Sequence, residues 1–308
     1  MNLSIMDPAD EQKSQLRAKL LALGVCIGAI AILRSPLRVA LSLALHDDRY
    51  LQIIALPLIA AYLIYWERQD IFSKATYSPR LGLPLFSLGA ILCLIGASRS
   101  WSAEPVIDIV PSIISIVTLI EAAFVFCFGI QSFKAAGYSM LCLWLAVPVP
   151  PSVIDALTVA YQHGSAAISL MLLELAGVSV LRDGTSFSIP GLDFTIAPEC
   201  SGIRSGLAFL LVGILAGRLY LRSPWARSIL ILSTIPIAMF KNAIRIVVTT
   251  SLAAYVDRSF IDGPFHHQYG GVIFSPLDFL LFVPLLLGLR RLEKQEGSLQ
   301  PSEVVLSQ

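Results

Sequence analysis

Charged residues are scarce in this chain: Asp, Glu, Lys and Arg account for 14% of the 308 residues, whereas 56% are hydrophobic. Soluble domains usually carry about 25% charged residues, so an ordinary soluble globular protein is excluded. The same apolar content excludes a disordered chain, a coiled coil and a collagen-like fibre. Together with a mean hydropathy of +0.76, it indicates an integral membrane protein with several spans.

An excess of positive charge is also missing, because 22 Lys and Arg residues are balanced by 21 Asp and Glu residues. No broad basic surface is therefore expected, and we predict no nucleic-acid partner. Cysteine is rare as well: the chain has five cysteines, most of them within apolar runs, and no Cys-x-x-Cys motif. This distribution argues against a disulfide scaffold and against a dithiol redox relay.

Apolar runs close to the length of a membrane span, roughly 20 residues, recur along the chain. Lys and Arg are concentrated in alternate loops between them, which predicts that both termini are cytoplasmic and that 151–200 is the largest outer segment. A further apolar stretch, 153–181, contains several polar residues and is predicted to be an interfacial or cavity-side helix rather than a span. The predicted spans are residues 20–45, 51–66, 81–97, 106–130, 137–150, 202–217, 229–250 and 271–289.

Short β-rich runs in the outer segment are separated by Asp183-Gly184 and Pro190-Gly191, which are hairpin signals. Because open sheet edges are not satisfied in hydrocarbon, we expect these strands in the outer aqueous compartment. The predicted fold class is an all-α polytopic membrane protein with about eight transmembrane helices and a small extracytoplasmic helix-plus-β-hairpin insertion. We predict one integral-membrane domain over residues 1–290 and a polar cytoplasmic tail over residues 291–308.

Cys200 lies in the sequence ECSGIRS, where the chain is predicted to return from the outer segment into the membrane. The dipole and free N–H groups of a helix N-terminus favour an anion such as a thiolate. Arg204 would share the helical face of Cys200 if the helix has begun by then. The alternative is a buried, unreactive cysteine next to a helix start.

Two basic residues, Lys241 and Arg245, interrupt an apolar span. A charge at the centre of a membrane helix costs about 2.5–3.5 kcal/mol, so such residues usually have a polar function. About 24 Å of helix separates Ile229 from Arg245, which places Arg245 toward the outer side, and Asn242 shares its face. The alternative is that both basic side chains extend to the lipid headgroups.

Two adjacent histidines, His266 and His267, precede the last predicted span on the outer side. Histidine can act as a general acid or base near neutral pH, although either residue could instead be an ordinary loop residue. One cysteine, one intramembrane arginine and a histidine are thus predicted on one face. A nucleophile, an anion-stabilising group and a base are what acyl transfer through a thioester requires.

This pattern resembles the exosortase/archaeosortase family over residues 45–290. The resemblance is carried by VPVP, the helix and hairpin, ECSGIRS, the Asn-x-x-Arg of 242–245, and Phe-His followed by Gly and Phe274. It implies a multi-pass cysteine transpeptidase in the bacterial cytoplasmic membrane, with its active site facing outward. Its partners would be exported proteins that end in a sorting signal (a Pro-Glu-Pro-like motif, an apolar helix and a basic tail), an acceptor of unknown identity and the lipid bilayer.

By this resemblance the family nucleophile falls on Cys200, its arginine on Arg245 and its histidine on His266 or His267. Arg204 and Asn242 would support them. Both histidines lie four residues before a glycine, and the Phe-His order favours His266. Many members carry a Tyr-Ser-His motif before the second span, whereas no histidine follows the tyrosine in HDDRYL, residues 46–51. No metal or other cofactor is implied.

Two other classes of function remain open. A transporter could use Lys241, Arg245 and Glu121 as an intramembrane charge relay, but it should show inverted repeats, and none stands out. A membrane assembly factor could keep the fold without the chemistry.

Reporter fusions test the predicted orientation. A reporter inserted at Gly184 should be active outside the cytoplasm and one fused after Gln308 should be active inside, because basic loops are retained in the cytoplasm. Cytoplasmic signals from both fusions would contradict the orientation, and with it the shared outer face of Cys200 and Arg245.

Overall fold

The computed structural model describes residues 8–73, 75–98, 105–263 and 270–298. The chain divides into two compact units, residues 1–151 and 152–308. The helices are α1 (Pro8–Ile32), α2 (Arg34–His46), α3 (Gln52–Trp66), α4 (Arg68–Phe72), α5 (Pro79–Ser98), α6 (Pro105–Ala135), α7 (Gly137–Leu145), α8 (Pro151–Leu175), α9 (Ile203–Tyr220), α10 (Pro224–Tyr255), α11 (Ser259–Asp262) and α12 (Gly270–Ser298). The strands are β1 (Leu181–Asp183), β2 (Ser186–Ile189) and β3 (Leu192–Thr195). The single domain over residues 1–290 stays a prediction.

Within the described ranges, 7 helical stretches are long and apolar enough to cross a membrane. An eighth results if α1 and α2 are counted together as one broken span. Only Leu33 separates these two helices, and the angle between them is 71°. The break falls at Leu33, directly before Arg34, the residue at which the sequence interrupts the first apolar run. The predicted polytopic, all-α fold is confirmed.

Two helices differ from the sequence-based prediction. The predicted span 137–150 is wrong, because α7 has only 9 residues and its roughly 13 Å cannot cross a bilayer. Conversely, α8 has 25 residues and is apolar enough to be a span, although an interfacial helix is predicted there. The physical reason lies in its polar groups: Gln162 is buried and donates to the carbonyl of Ile196 at 2.9 Å, so it does not require water.

The last helix continues past the predicted start of the tail, so residues 291–298 are helical and residues 299–308 lie outside the described residues. Glu293 explains the extension, because its carboxylate accepts hydrogen bonds from the backbone N–H groups of Arg222 at 3.0 Å and Ser223 at 2.7 Å. These groups precede α10, and an acid there satisfies donors that the helix leaves open. The same end of the second unit holds most of its basic residues, namely Arg218, Arg222, Arg227, Arg290, Arg291 and Lys294.

The three strands form an antiparallel sheet in the order β1-β2-β3, with two-residue turns at 184–185 and 190–191. Phe187 and Phe194 are cross-strand partners, and their rings stack with centroids 5.1 Å apart. The buried face, with Phe187 and Ile189, packs against Leu173 of α8 and Ala253 of α10. The predicted hairpin is thus confirmed as a small sheet, which lies at the end of α10 opposite the basic residues. Its position outside the membrane stays a prediction.

Glycines allow α9 to lie close to its neighbours in the second unit. A Cβ atom on Gly206 would lie 2.6 Å from the ring of Tyr161 on α8. A Cβ atom on Gly213 would lie 2.8 Å from the side chain of Thr234 on α10. Such small residues let membrane helices approach closely, and here they bring the segment before α9 against α10.

Candidate active site

Cys200 lies where the sheet meets the membrane helices. After β3 the chain forms a short 3₁₀ helix, Pro198–Cys200, and then α9 begins at Ile203. The proline at the start of this turn suits a helical first position, because it has no N–H group to leave unsatisfied. Cys200 is therefore placed just before a helix N-terminus, as the sequence predicts, and its side chain is partly exposed.

The residue directly before α9 must be glycine. Gly202 has a φ angle of 87°, in the left-handed region that other residues rarely adopt. A Cβ atom at this position would also lie 2.8 Å from the amide carbon of Asn242. Both constraints follow from the close contact between this turn and α10.

Asn242 fixes the backbone of the cysteine turn. It is 1% exposed, and its Nδ2 donates to the carbonyl oxygens of Cys200 and Ser201, both at 2.9 Å. The same nitrogen lies 3.2 Å from the hydroxyl of Ser165 on α8. Buried carbonyl groups outside a helix need such donors. Asn242 therefore joins the cysteine turn to α10 and to α8.

Arg245 extends from α10 to the cysteine. It lies one turn after Lys241, and its guanidinium group hydrogen-bonds the thiol of Cys200. Arg204 is exposed, yet it is close enough to interact electrostatically with the same thiol. The predicted cysteine–arginine pair and both predicted supporting residues, Arg204 and Asn242, are thus brought together in the structure. A guanidinium group beside a thiol favours the nucleophilic thiolate.

Lys241 does not extend to the lipid headgroups. It is 2% exposed, and its ammonium group lies 3.2 Å from a carboxylate oxygen of Asp278 on α12. It also donates to the hydroxyl of Ser205 on α9 at 2.8 Å. Sequence reasoning missed Asp278, although an acid inside the apolar run 271–289 was a usable signal.

His266 and His267 lie outside the described residues, which resume at Gly270, the first residue of α12. Their candidate role therefore stays a prediction. The chain that carries them connects α11 to α12, and α12 packs beside α10.

Each residue that a transporter could use in an intramembrane charge relay is paired with a nearby side chain. Lys241 pairs with Asp278, Arg245 hydrogen-bonds Cys200, and Glu121 accepts a hydrogen bond from the indole of Trp144 at 2.9 Å. In the part of the chain that the structure describes, no three His, Cys, Asp or Glu residues are grouped so that they could hold a metal ion.

The fold and this site define a polytopic membrane protein in which helices bring a cysteine and an arginine together. The family model of the transmembrane exosortases (Exosortase_EpsH) matches residues 44–283, more than half of the chain. The chain therefore belongs to the transmembrane exosortase family, which confirms the resemblance seen in its sequence and supports a membrane transpeptidase or sorting role in general. Neither the curated proteins nor the solved structures gave a match.

The substitution Asn242→Asp tests the role of the amide. The side chain keeps its size, but it replaces the donor with oxygens that face the carbonyls of Cys200 and Ser201. We expect the free energy of unfolding to fall by about 1–3 kcal/mol, measured on the purified protein in detergent. Thr250→Val is a matched control, because Thr250 is buried on the same helix and its hydroxyl bonds only carbonyls of that helix. Equal stability of Asn242→Asp and the wild type would contradict the role.

Proposed function

We propose that the protein is a membrane cysteine protease and transpeptidase that cleaves the C-terminal sorting signals of exported proteins and transfers the new end to an acceptor or to water. Family membership supports the general role. The observation that carries the finer proposal is the hydrogen bond between the Arg245 guanidinium and the Cys200 thiol, because it places an anion-stabilising group on a nucleophile.

In the proposed reaction, the Cys200 thiolate attacks the carbonyl carbon of the scissile peptide bond and forms a C–S bond. The negative charge that develops on the carbonyl oxygen is stabilised by Arg245, with help from Arg204. The C–N bond then breaks, and a histidine, His266 or His267, donates a proton to the leaving amine. Water or an acceptor nucleophile finally attacks the thioester, gives its proton to the same histidine and releases Cys200.

The proposed site faces the outer side of the bacterial cytoplasmic membrane. Two features of the second unit support this orientation: basic residues are concentrated at the end where Glu293 caps α10, and the polar sheet lies at the opposite end. Basic residues favour the cytoplasmic side. A substrate whose own apolar helix spans the membrane would then present its short motif at the level of Cys200.

Substitution of Cys200 and Arg245 tests the proposed chemistry. Cys200→Ala should abolish processing of an exported reporter that ends in such a signal, because the nucleophile is lost while the fold is retained. Arg245→Lys should lower the rate by about 10²-fold, since lysine keeps the charge but lacks the planar fork that binds oxygen anions. Cys93→Ala and Arg258→Lys are the matched controls and should process normally. Wild-type rates from Cys200→Ala or from Arg245→Lys would contradict the assignment.

The two histidines are distinguished by single substitutions. His266→Ala should lower processing by about 10²–10⁴-fold, the usual contribution of general acid–base catalysis, whereas His267→Ala should be tolerated. Adjacent side chains generally point in different directions, so we expect only one of the two histidines to act on the thiol. His163→Ala, an exposed histidine on α8, is the control. Inactive His267→Ala with active His266→Ala would move the role by one residue, and full activity of the double variant would remove histidine from the mechanism.

A further inference from the structure

A buried ion pair lies beneath the proposed active site and takes no part in the proposed chemistry. Lys241 and Asp278 have side chains that are 2% and 5% exposed, with 3.2 Å between the ammonium nitrogen and a carboxylate oxygen. Lys241 is the largest fully buried side chain among the described residues. The second carboxylate oxygen of Asp278 is buried without a hydrogen-bond partner in the described part of the chain.

Stability alone does not explain this pair. Moving two charges out of water costs about as much as their attraction returns, so well-packed apolar side chains of similar size are usually at least as stabilising. A pair with strict geometry, however, allows only one register of the helices that carry it. Buried polar groups in helical assemblies are known to fix register in this way.

The pair joins the three elements on which the proposed reaction depends. Ser205, which accepts a hydrogen bond from Lys241 at 2.8 Å, belongs to the cysteine motif and lies in the first turns of α9. Lys241 lies one turn before Arg245 on α10. Asp278 lies on α12, whose first residue follows the segment with the two histidines.

A Ser–Lys catalytic dyad is the other chemistry that these atoms suggest. A serine hydroxyl becomes nucleophilic only if the neighbouring lysine is neutral and can take its proton. Lys241 instead pairs with the carboxylate of Asp278 at 3.2 Å, so its side chain is engaged by an acid rather than poised as a base for the serine. Lys241 therefore donates to Ser205, and the Ser205 hydroxyl in turn donates to the carbonyl of Gly202 at 3.0 Å.

We propose that Lys241 and Asp278 are positioning residues, which hold α9, α10 and α12 in the one register that places Arg245 against Cys200. This proposal rests on the proposed function. The positioning effect is transmitted by three consecutive contacts. Asp278 pairs with Lys241, Lys241 donates to Ser205, and Ser205 donates to the carbonyl of Gly202 in the cysteine turn. The pair has no step of its own in the proposed reaction and acts only through the helices that carry it.

The double variant Lys241→Met/Asp278→Leu removes both charges and replaces them with apolar side chains of comparable shape. We expect it to insert and to melt close to the wild type, whereas Lys241→Met alone should be destabilised, because it leaves a buried carboxylate without its cation. The decisive measurement is the rate at which iodoacetamide alkylates Cys200, followed by mass spectrometry of the peptide that carries it. We expect this rate to fall about tenfold in the double variant, because a positive charge beside a thiol changes its ionised fraction at least that much.

Thr234→Val is the matched control, because Thr234 is buried on α10 and hydrogen-bonds only within that helix. It should alkylate at the wild-type rate. A folded double variant with wild-type alkylation of Cys200 would overturn the proposal. If the double variant does not fold, Asp278→Asn, which is nearly isosteric, is measured in the same way, and unchanged alkylation there would also overturn it.

The outcome is separable from that of the proposed function, because alkylation needs no substrate. Processing by Cys200→Ala would refute the cysteine mechanism whatever the alkylation rates are. Loss of processing in Cys200→Ala, together with wild-type alkylation in the double variant, would refute only the positioning role.

Discussion

The geometry of the site depends on one constraint: backbone carbonyl groups need hydrogen-bond donors where the chain leaves regular structure. Between β3 and α9 the carbonyls of Cys200 and Ser201 have no place in a helix or a sheet, and the amide of Asn242 supplies their donor. That contact explains why Gly202 has no side chain and why α10 lies against the cysteine turn. The position of the Cys200 side chain is thus set by the hydrogen bonds that hold the backbone of its turn.

Helix α10 organises the second unit because each part of its length has a different partner. Its start receives the carboxylate of Glu293, its middle carries Asn242 and Lys241, and its end packs against the sheet. The polar residues of the middle segment would be costly in a membrane helix if they were alone. Each is instead directed to a neighbouring helix or to the cysteine turn, so the polar groups that look unfavourable in the sequence connect the helices.

The sequence predicts the parts of this arrangement that depend on local pattern. Cys200, Asn242 and Arg245 are recognisable because they are polar groups in apolar surroundings, and the Asp-Gly and Pro-Gly turns indicate the hairpin. The sequence does not reveal that α8 is apolar enough to span the membrane. Its polar residue Gln162 donates to the carbonyl of Ile196, which is distant in the chain and is brought near only by the fold. The pairing of Lys241 with Asp278 is likewise set by tertiary contact, and the extension of α12 depends on what Glu293 caps.

The hydrogen bond from Asn242 to the carbonyl of Cys200 joins positions that are 42 residues apart in the chain. During synthesis, Cys200 is therefore made before Asn242 and Arg245, and Asp278 follows later still. A nascent chain that has inserted only α9 holds a cysteine whose turn has no donor and whose arginine is absent. The geometry around Cys200 is consequently complete only after α10 and α12 have been made and have packed against α9.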